Sequence, residues 1–149
     1  MDPLKMLEDD HETVKKILGD LEDTTERAVK SRTELFGRLE REMRVHEVLE
    51  EEILYPALKE HDKAKDLALE GYEEHHVVDT IMGEMRDVSV EDETWTAKFS
   101  VMKENIEHHI EEEEGEMFPK AREIFSADEL EEMGERMAAR RKEAQAALP

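Results

Sequence analysis

Two stretches of this chain carry the same eleven-residue pattern, His46-x3-Glu50-Glu51-x3-Tyr55-Pro56 and His109-x3-Glu113-Glu114-x3-Phe118-Pro119, 63 positions apart. The register extends upstream, where Phe36, Leu39 and Met43 fall on Phe99, Met102 and Ile106. On a helix these positions share one face, so each apolar stripe runs into a histidine and, one turn later, a glutamate. An unpaired carboxylate on a core face is very costly. A pair of metal ions resolves that problem for both copies at once.

A weaker repeat ties two further segments together. His11, Val14, Ile17 and Leu18 match His75, Val78, Ile81 and Met82 at an offset of 64. This register selects His75 over His76, because alignment through His76 would put Asp79 on the apolar stripe; the same logic selects His109 over His108. Six residues then converge: His11, His46, Glu50, His75, His109 and Glu113. Their twofold pattern implies two metal positions with two carboxylates placed to bridge them. Mixed imidazole and carboxylate ligation suits iron, manganese or zinc. Iron is favoured, since the set leaves positions open to dioxygen or peroxide. A lone histidine on such a helix is ordinarily structural or exposed, and acidic runs such as Glu111–Glu114 are ordinarily solvated. Four histidines and two glutamates obeying one symmetry on the apolar face are not explained that way. His61, His76 and His108 are assigned to the surface, and Met43, Met82, Met85, Met102 and Met117 to gap-filling core.

The elements that must position these residues are helices. Charged residues are 42% of the chain, with only four prolines and six glycines, which is a composition for helix and not for sheet. At 149 residues one domain is expected. Helix one is read from Pro3 to about Val29, capped by Asp2. Ser31-x-x-Glu34 is a capping box opening helix two, which should break near Tyr55-Pro56. Helix three runs from after His61-Asp62 to about Met85. Helix four runs from about Thr94 and stops at Phe118-Pro119. Ser126-x-x-Glu129 opens an amphipathic fifth helix over about 127–146. The expectation is an all-α, up-down-up-down four-helix bundle over about 3–119 with a C-terminal appendage.

The formal net charge of −21 repels phosphate backbones and anionic lipid, so neither nucleic acid nor membrane is an expected partner. No cysteine is present, which excludes disulfides, thiolate zinc sites and iron–sulfur clusters. With no apolar signal region and no spanning stretch, the default location is the cytoplasm. A monomer or weak homo-oligomer is expected.

The motif order His11, His46-x3-Glu50, His75, His109-x3-Glu113 closely resembles the hemerythrin-like, or HHE cation-binding, domain family, whose pattern is H…HxxxE…H…HxxxE. The resemblance covers nearly the whole chain, including SADELEEMGERM near its end. It implies two iron ions in an oxo- or hydroxo-bridged centre inside the bundle. Oxygen-carrying hemerythrins have HxxxH on the third helix and HxxxxD on the fourth, whereas this chain has His75-x3-Asp79 and His109-x3-Glu113. The five-histidine centre of the carriers is therefore absent. His46-Glu47-x2-Glu50 matches the HExxE variant of iron-sensing relatives, in which Glu47 would be a further terminal ligand. Its place in helix four is taken by Ile110, so Glu47 is read as a solvated glutamate.

Tyr72, one turn before His75, is the candidate catalytic residue, its hydroxyl approaching the metals; Tyr55 is read as packing. The expected function is reaction with small oxygen species: binding dioxygen, or reducing or dismutating peroxide, with azide-like anions competing. Two alternatives stay open at this point, an iron or oxygen sensor without catalysis and simple iron storage.

Overall fold

The computed structural model describes residues 1–149. Helix α1 (Pro3–Glu22) opens where the Asp2 carboxylate accepts from the backbone N–H groups of Leu4 and Lys5, with Pro3 in the first turn. It ends at Glu22, short of the expected Val29. The Thr24 hydroxyl donates to the Leu21 carbonyl at 2.6 Å and so closes the helix.

Helix α2 (Val29–Leu49) has no side-chain cap, and Ser31-x-x-Glu34 lies inside it. Its start is fixed from outside instead. Arg32 is buried and donates to the Thr24 hydroxyl at 3.0 Å, the Val90 carbonyl at 2.7 Å and the Thr96 hydroxyl at 3.1 Å, pinning two loops at one end of the bundle. An anchored arginine has replaced the capping box.

The two prolines do not stop their helices. A π-helical turn (Glu50–Leu54) follows α2 and leads into α3 (Tyr55–Lys59). Helix α4 (Lys65–Arg86) is third in the bundle. Helix α5 (Glu93–Glu112) passes through a second π-helical turn (Glu113–Met117) into α6 (Phe118–Ile124). In each turn the hydrogen bond widens by one residue, from the Tyr55 N–H to the Glu50 carbonyl and from the Phe118 N–H to the Glu113 carbonyl. The wider turn makes room for the proline ring and its missing N–H, so the rod continues. Each π-turn also begins at one of the two repeated glutamates.

The four rods form an up-down-up-down bundle. Its apolar core is split in two by a polar layer. One half gathers Val14, Ile17, Phe36, Met82, Trp95 and Phe99 with their neighbours, and the other Leu4, Leu7, Leu54, Tyr55, Phe118 and Met137 with theirs. The layer between them holds the buried histidines.

Helix α7 (Ala127–Ala146) opens on the expected capping box, with Ser126 and Glu129 bonding reciprocally. It lies against α1 and α2 and adds Met133 and Met137 to the core. A Cβ at Gly134 would stand 2.0 Å from the Met1 carbonyl oxygen, so only glycine lets the chain start pack here. No helix is long and apolar enough to cross a membrane.

Candidate metal centre

His11, His46, His75 and His109 are all buried, none more than 4% exposed, and Glu50 and Glu113 lie among them at 0% and 1%. The histidines form two pairs, His11 with His46 and His75 with His109, each with ring centroids 4.9 Å apart. Each glutamate reaches one member of both pairs. Glu113 places Oε1 3.1 Å from His11 Nε2 and Oε2 3.3 Å from His109 Nε2. Glu50 Oε1 lies 3.2 Å from His46 Nε2 and 3.0 Å from His75 Nε2.

The outer nitrogens are held just as regularly. His11 Nδ1 lies 2.6 Å from Glu114, His46 Nδ1 3.0 Å from Asp10, His75 Nδ1 2.7 Å from Glu51 and His109 Nδ1 2.6 Å from Glu74. Ionised carboxylates only accept, so every Nδ1 carries the proton and donates it outward. Each partner sits on a different rod from its histidine: Asp10 of α1 holds α2, Glu51 of the first π-turn holds α4, Glu74 of α4 holds α5, and Glu114 of the second π-turn holds α1. The ring closes on itself.

This arrangement leaves a conflict at the centre. A neutral imidazole protonated at Nδ1 presents a lone pair at Nε2, and here four lone pairs face carboxylate oxygens. Two acceptors at 3.0–3.3 Å repel unless a proton or another cation lies between them. Without a cation, protons must take its place, and at His46, His75 and His109 the neighbouring carboxylates favour the charged imidazole. Burial opposes this, but the Glu50 charge and the bond to Asp10 outweigh it and push His46 up to about 10. Burial is likewise outweighed at His75, where Glu50 and Glu51 push it up to about 9, and His109 rises well above its ordinary value beside Glu113. Glu50, despite its burial, is held well below the carboxylate range by His46 and its other partners. Even so, His46 Nε2 and Glu50 Oε2 remain buried without a hydrogen-bond partner. Unpartnered inward donor atoms, oriented from behind by carboxylates, fit a metal cation.

The family comparison agrees with that chemistry. The hemerythrin HHE cation-binding domain matches residues 2–121.

The chain belongs to this family.

The HHE domain also resembles a solved crystal structure, a hemerythrin HHE cation-binding domain-containing protein from Mycobacterium kansasii. That protein is 26% identical, with a TM-score of 0.86, over 99% of this chain and 89% of the other. A search of curated proteins finds no match.

All six sequence-derived candidates of this HHE domain come together, while His76 and His108 are exposed and His61 is half-buried edge-on to Phe125. Three of the other readings need correction. Tyr72 does not point at the centre: its hydroxyl donates to the Glu51 carbonyl at 3.1 Å. Pro56 has no N–H to offer that carbonyl across the π-turn, and the phenol takes its place. Tyr55 is the phenol in the site. Its hydroxyl donates to Glu113 Oε2 at 2.6 Å and lies 3.2 Å from Glu50 Oε1 and 3.3 Å from His75 Nε2. Burial first, then the two glutamate charges, raise its pKa well above the ordinary phenol.

Glu47 is the third correction. It is buried, 7% exposed, and not a solvated glutamate. Burial and the facing Asp79 carboxylate push it up to about 9, and its Oε2 has no partner.

The four outer carboxylates were not singled out from sequence, yet the repeat marks them. Asp10 and Glu74 each precede a repeated histidine, and Glu51 and Glu114 each follow a repeated glutamate. What hid them is the abundance of exposed acids beside them.

Proposed function

We propose that this chain is a non-haem di-iron protein that reacts with small oxygen species, peroxide foremost. Two iron ions would be held by His11 and His46 on one side and His75 and His109 on the other, with Glu50 and Glu113 shared. The observation that carries this reading is the sharing: each buried glutamate reaches one histidine of each pair. Two clusters of ligand atoms result, His11, His46, Glu50 and Glu113 in one and Glu50, His75 and His109 in the other. Imidazole and carboxylate donors without thiolate favour iron over soft-metal chemistry.

Bound iron supplies electron exchange and open coordination positions to a small oxygen species. The protein supplies the rest. Nδ1 bonds to four carboxylates hold the rings and raise their basicity. Tyr55 holds a proton at Oη within reach of both glutamates, where it can orient or protonate a small bound molecule. A cavity of about 350 Å³ lies between α2 and α4, lined by Met43, Glu47, Glu51, Asp79 and Met82, and Glu51 in its wall is the partner of His75 Nδ1 at 2.7 Å.

The test is iron analysis combined with peroxide consumption by the purified ferric protein. Two iron per chain, peroxide loss, inhibition by azide and a slower rate in Tyr55→Phe with iron retained are expected. One metal per chain overturns the two-ion centre. A stable, reversible dioxygen adduct with negligible peroxide turnover overturns the peroxide assignment.

A further inference from the structure

The pseudo-twofold symmetry of the centre is broken at one outer carboxylate. Glu51, Glu74 and Glu114 each hold a histidine and remain partly open to solvent, with side chains 37%, 27% and 32% exposed. Water can satisfy their remaining lone pairs. Asp10 is the most enclosed of the four, its side chain 11% exposed. Its Oδ2 accepts from His46 Nδ1 at 3.0 Å and from Arg141 Nη2 at 3.0 Å, two donors on a single oxygen. Arg141 belongs to α7, outside the four-helix repeat, and no lysine or arginine pairs with the other three carboxylates.

We propose that Arg141 is a positioning residue of the metal centre, setting the His46 ring and its donor strength through Asp10. The inference rests on the metal reading above and adds an element to it. An arginine on the same oxygen fixes which lone pair faces His46 and draws charge away from it. His46 therefore accepts less charge from its carboxylate than the other three histidines accept from theirs. The two metal positions are then unequal, and the inequality is imposed by the fifth helix. Its neighbour Arg140 provides the control. Arg140 pins the same turn of α7 to Glu52 through two bonds of 2.9 and 3.1 Å, and Glu52 bonds no histidine.

The experiment compares Arg141→Ala, Arg141→Lys and Arg140→Ala in the full chain loaded with zinc, a diamagnetic probe. Two readouts are taken: the two zinc dissociation constants by chelator competition, and the exchange of each imidazole Nδ1 proton by NMR. Loss of an outer-shell partner weakens metal binding by about 10- to 100-fold, and Arg141 acts one bond further out, so about tenfold is expected. In Arg141→Ala one zinc should weaken by about that factor and the His46 Nδ1 proton should exchange faster, while His109 is unchanged. Arg141→Lys should recover part of both effects, and Arg140→Ala neither. If Arg140→Ala reproduces Arg141→Ala, helix docking alone is responsible and the proposal falls. It also falls if Arg141→Ala moves neither readout. Should Arg141→Ala fail to fold, Arg141→Lys carries the comparison, because a compact ammonium in place of the planar guanidinium should shift the His46 proton while leaving that of His109. His46→Ala separates the two ways of failing. If it loses one tight zinc while Arg141→Ala is silent, only the positioning role is wrong; if it keeps both, the centre itself is wrong.

Discussion

Removing the metal should reverse the sign of the protein's pH dependence. In the metal-free chain His46 and His75 are pushed up to about 10 and about 9 by their carboxylates. A histidine whose folded pKa lies above its ordinary value contributes stability that is fully present below about 6.5 and lost as pH rises through the folded value. Glu47, buried and pushed up to about 9, acts in the same direction from the ordinary carboxylate range upward. Near pH 8 the folded state thus holds at least two protons that the unfolded chain has released. Each such proton costs about 1.4 kcal/mol per pH unit, so stability should fall by about 3 kcal/mol per unit. For a chain of this length 1 kcal/mol moves Tm by about 2–4 °C, which makes the fall about 6–12 °C per pH unit. The loaded protein should behave oppositely, because protons compete with the cations for the imidazoles and acid strips them. At neutral pH two ions, each at about 1,000 times its Kd, would stabilise by about 8 kcal/mol. Imidazolium formation in the metal-free state offsets part of this, so a chelation loss of about 10–20 °C in Tm is expected. Thermal melts by circular dichroism from pH 5.5 to 9, with metal removal verified by elemental analysis, measure both slopes. Coincident melts with and without metal, or a metal-free Tm that rises between pH 7 and 9, would refute the reasoning.

Three further outcomes follow from particular contacts. Tyr72→Phe should cost about 1–3 kcal/mol by leaving the Glu51 carbonyl unpaired, with peroxide kinetics unchanged, while Tyr55→Phe should change the kinetics and retain iron; denaturant melts and steady-state rates separate the two. Gly71→Ala would set a Cβ 2.6 Å from the Tyr55 ring, so it should destabilise by about 1–3 kcal/mol and alter the optical spectrum of the loaded protein. Ser126→Ala should cost about 1 kcal/mol as a lost N-cap, whereas Ser31→Ala, inside α2, should be nearly neutral; urea midpoints decide it.

The all-helical bundle and the six residues at its centre were legible in the sequence because both follow from periodicity. A helix turns 100° per residue, so spacing alone decides that His75 and not His76 shares a face with Val78 and Met82. The 63/64 register then places the two halves by symmetry. Local capping was legible where the helix end depends on its own residues, as at Asp2 and Ser126, and not where a distant group holds it. Ser31 reads as a cap, but buried Arg32, tied to the Val90 carbonyl and Thr96, starts α2 at Val29. The prolines misled for a related reason: proline breaks an α-helix, and a π-turn accommodates it at the cost of one extra residue, with Tyr72 from another rod closing the freed carbonyl.

The finer content of the site was decided by tertiary structure. Spacing favours Tyr72, one turn before His75, over Tyr55; the π-turn takes Tyr55 out of the α-helical register that spacing assumes, and only the fold shows which phenol enters. Asp10, Glu51, Glu74 and Glu114 are four acids among 42, and each is selected by a histidine on another rod. Glu47 is set apart from the exposed acids of the chain by its burial, with His75 and Asp79 of α4 beside it. Spacing along one helix determines which face a residue occupies; which residue of another helix meets it there depends on long-range packing, for which the sequence carries no period.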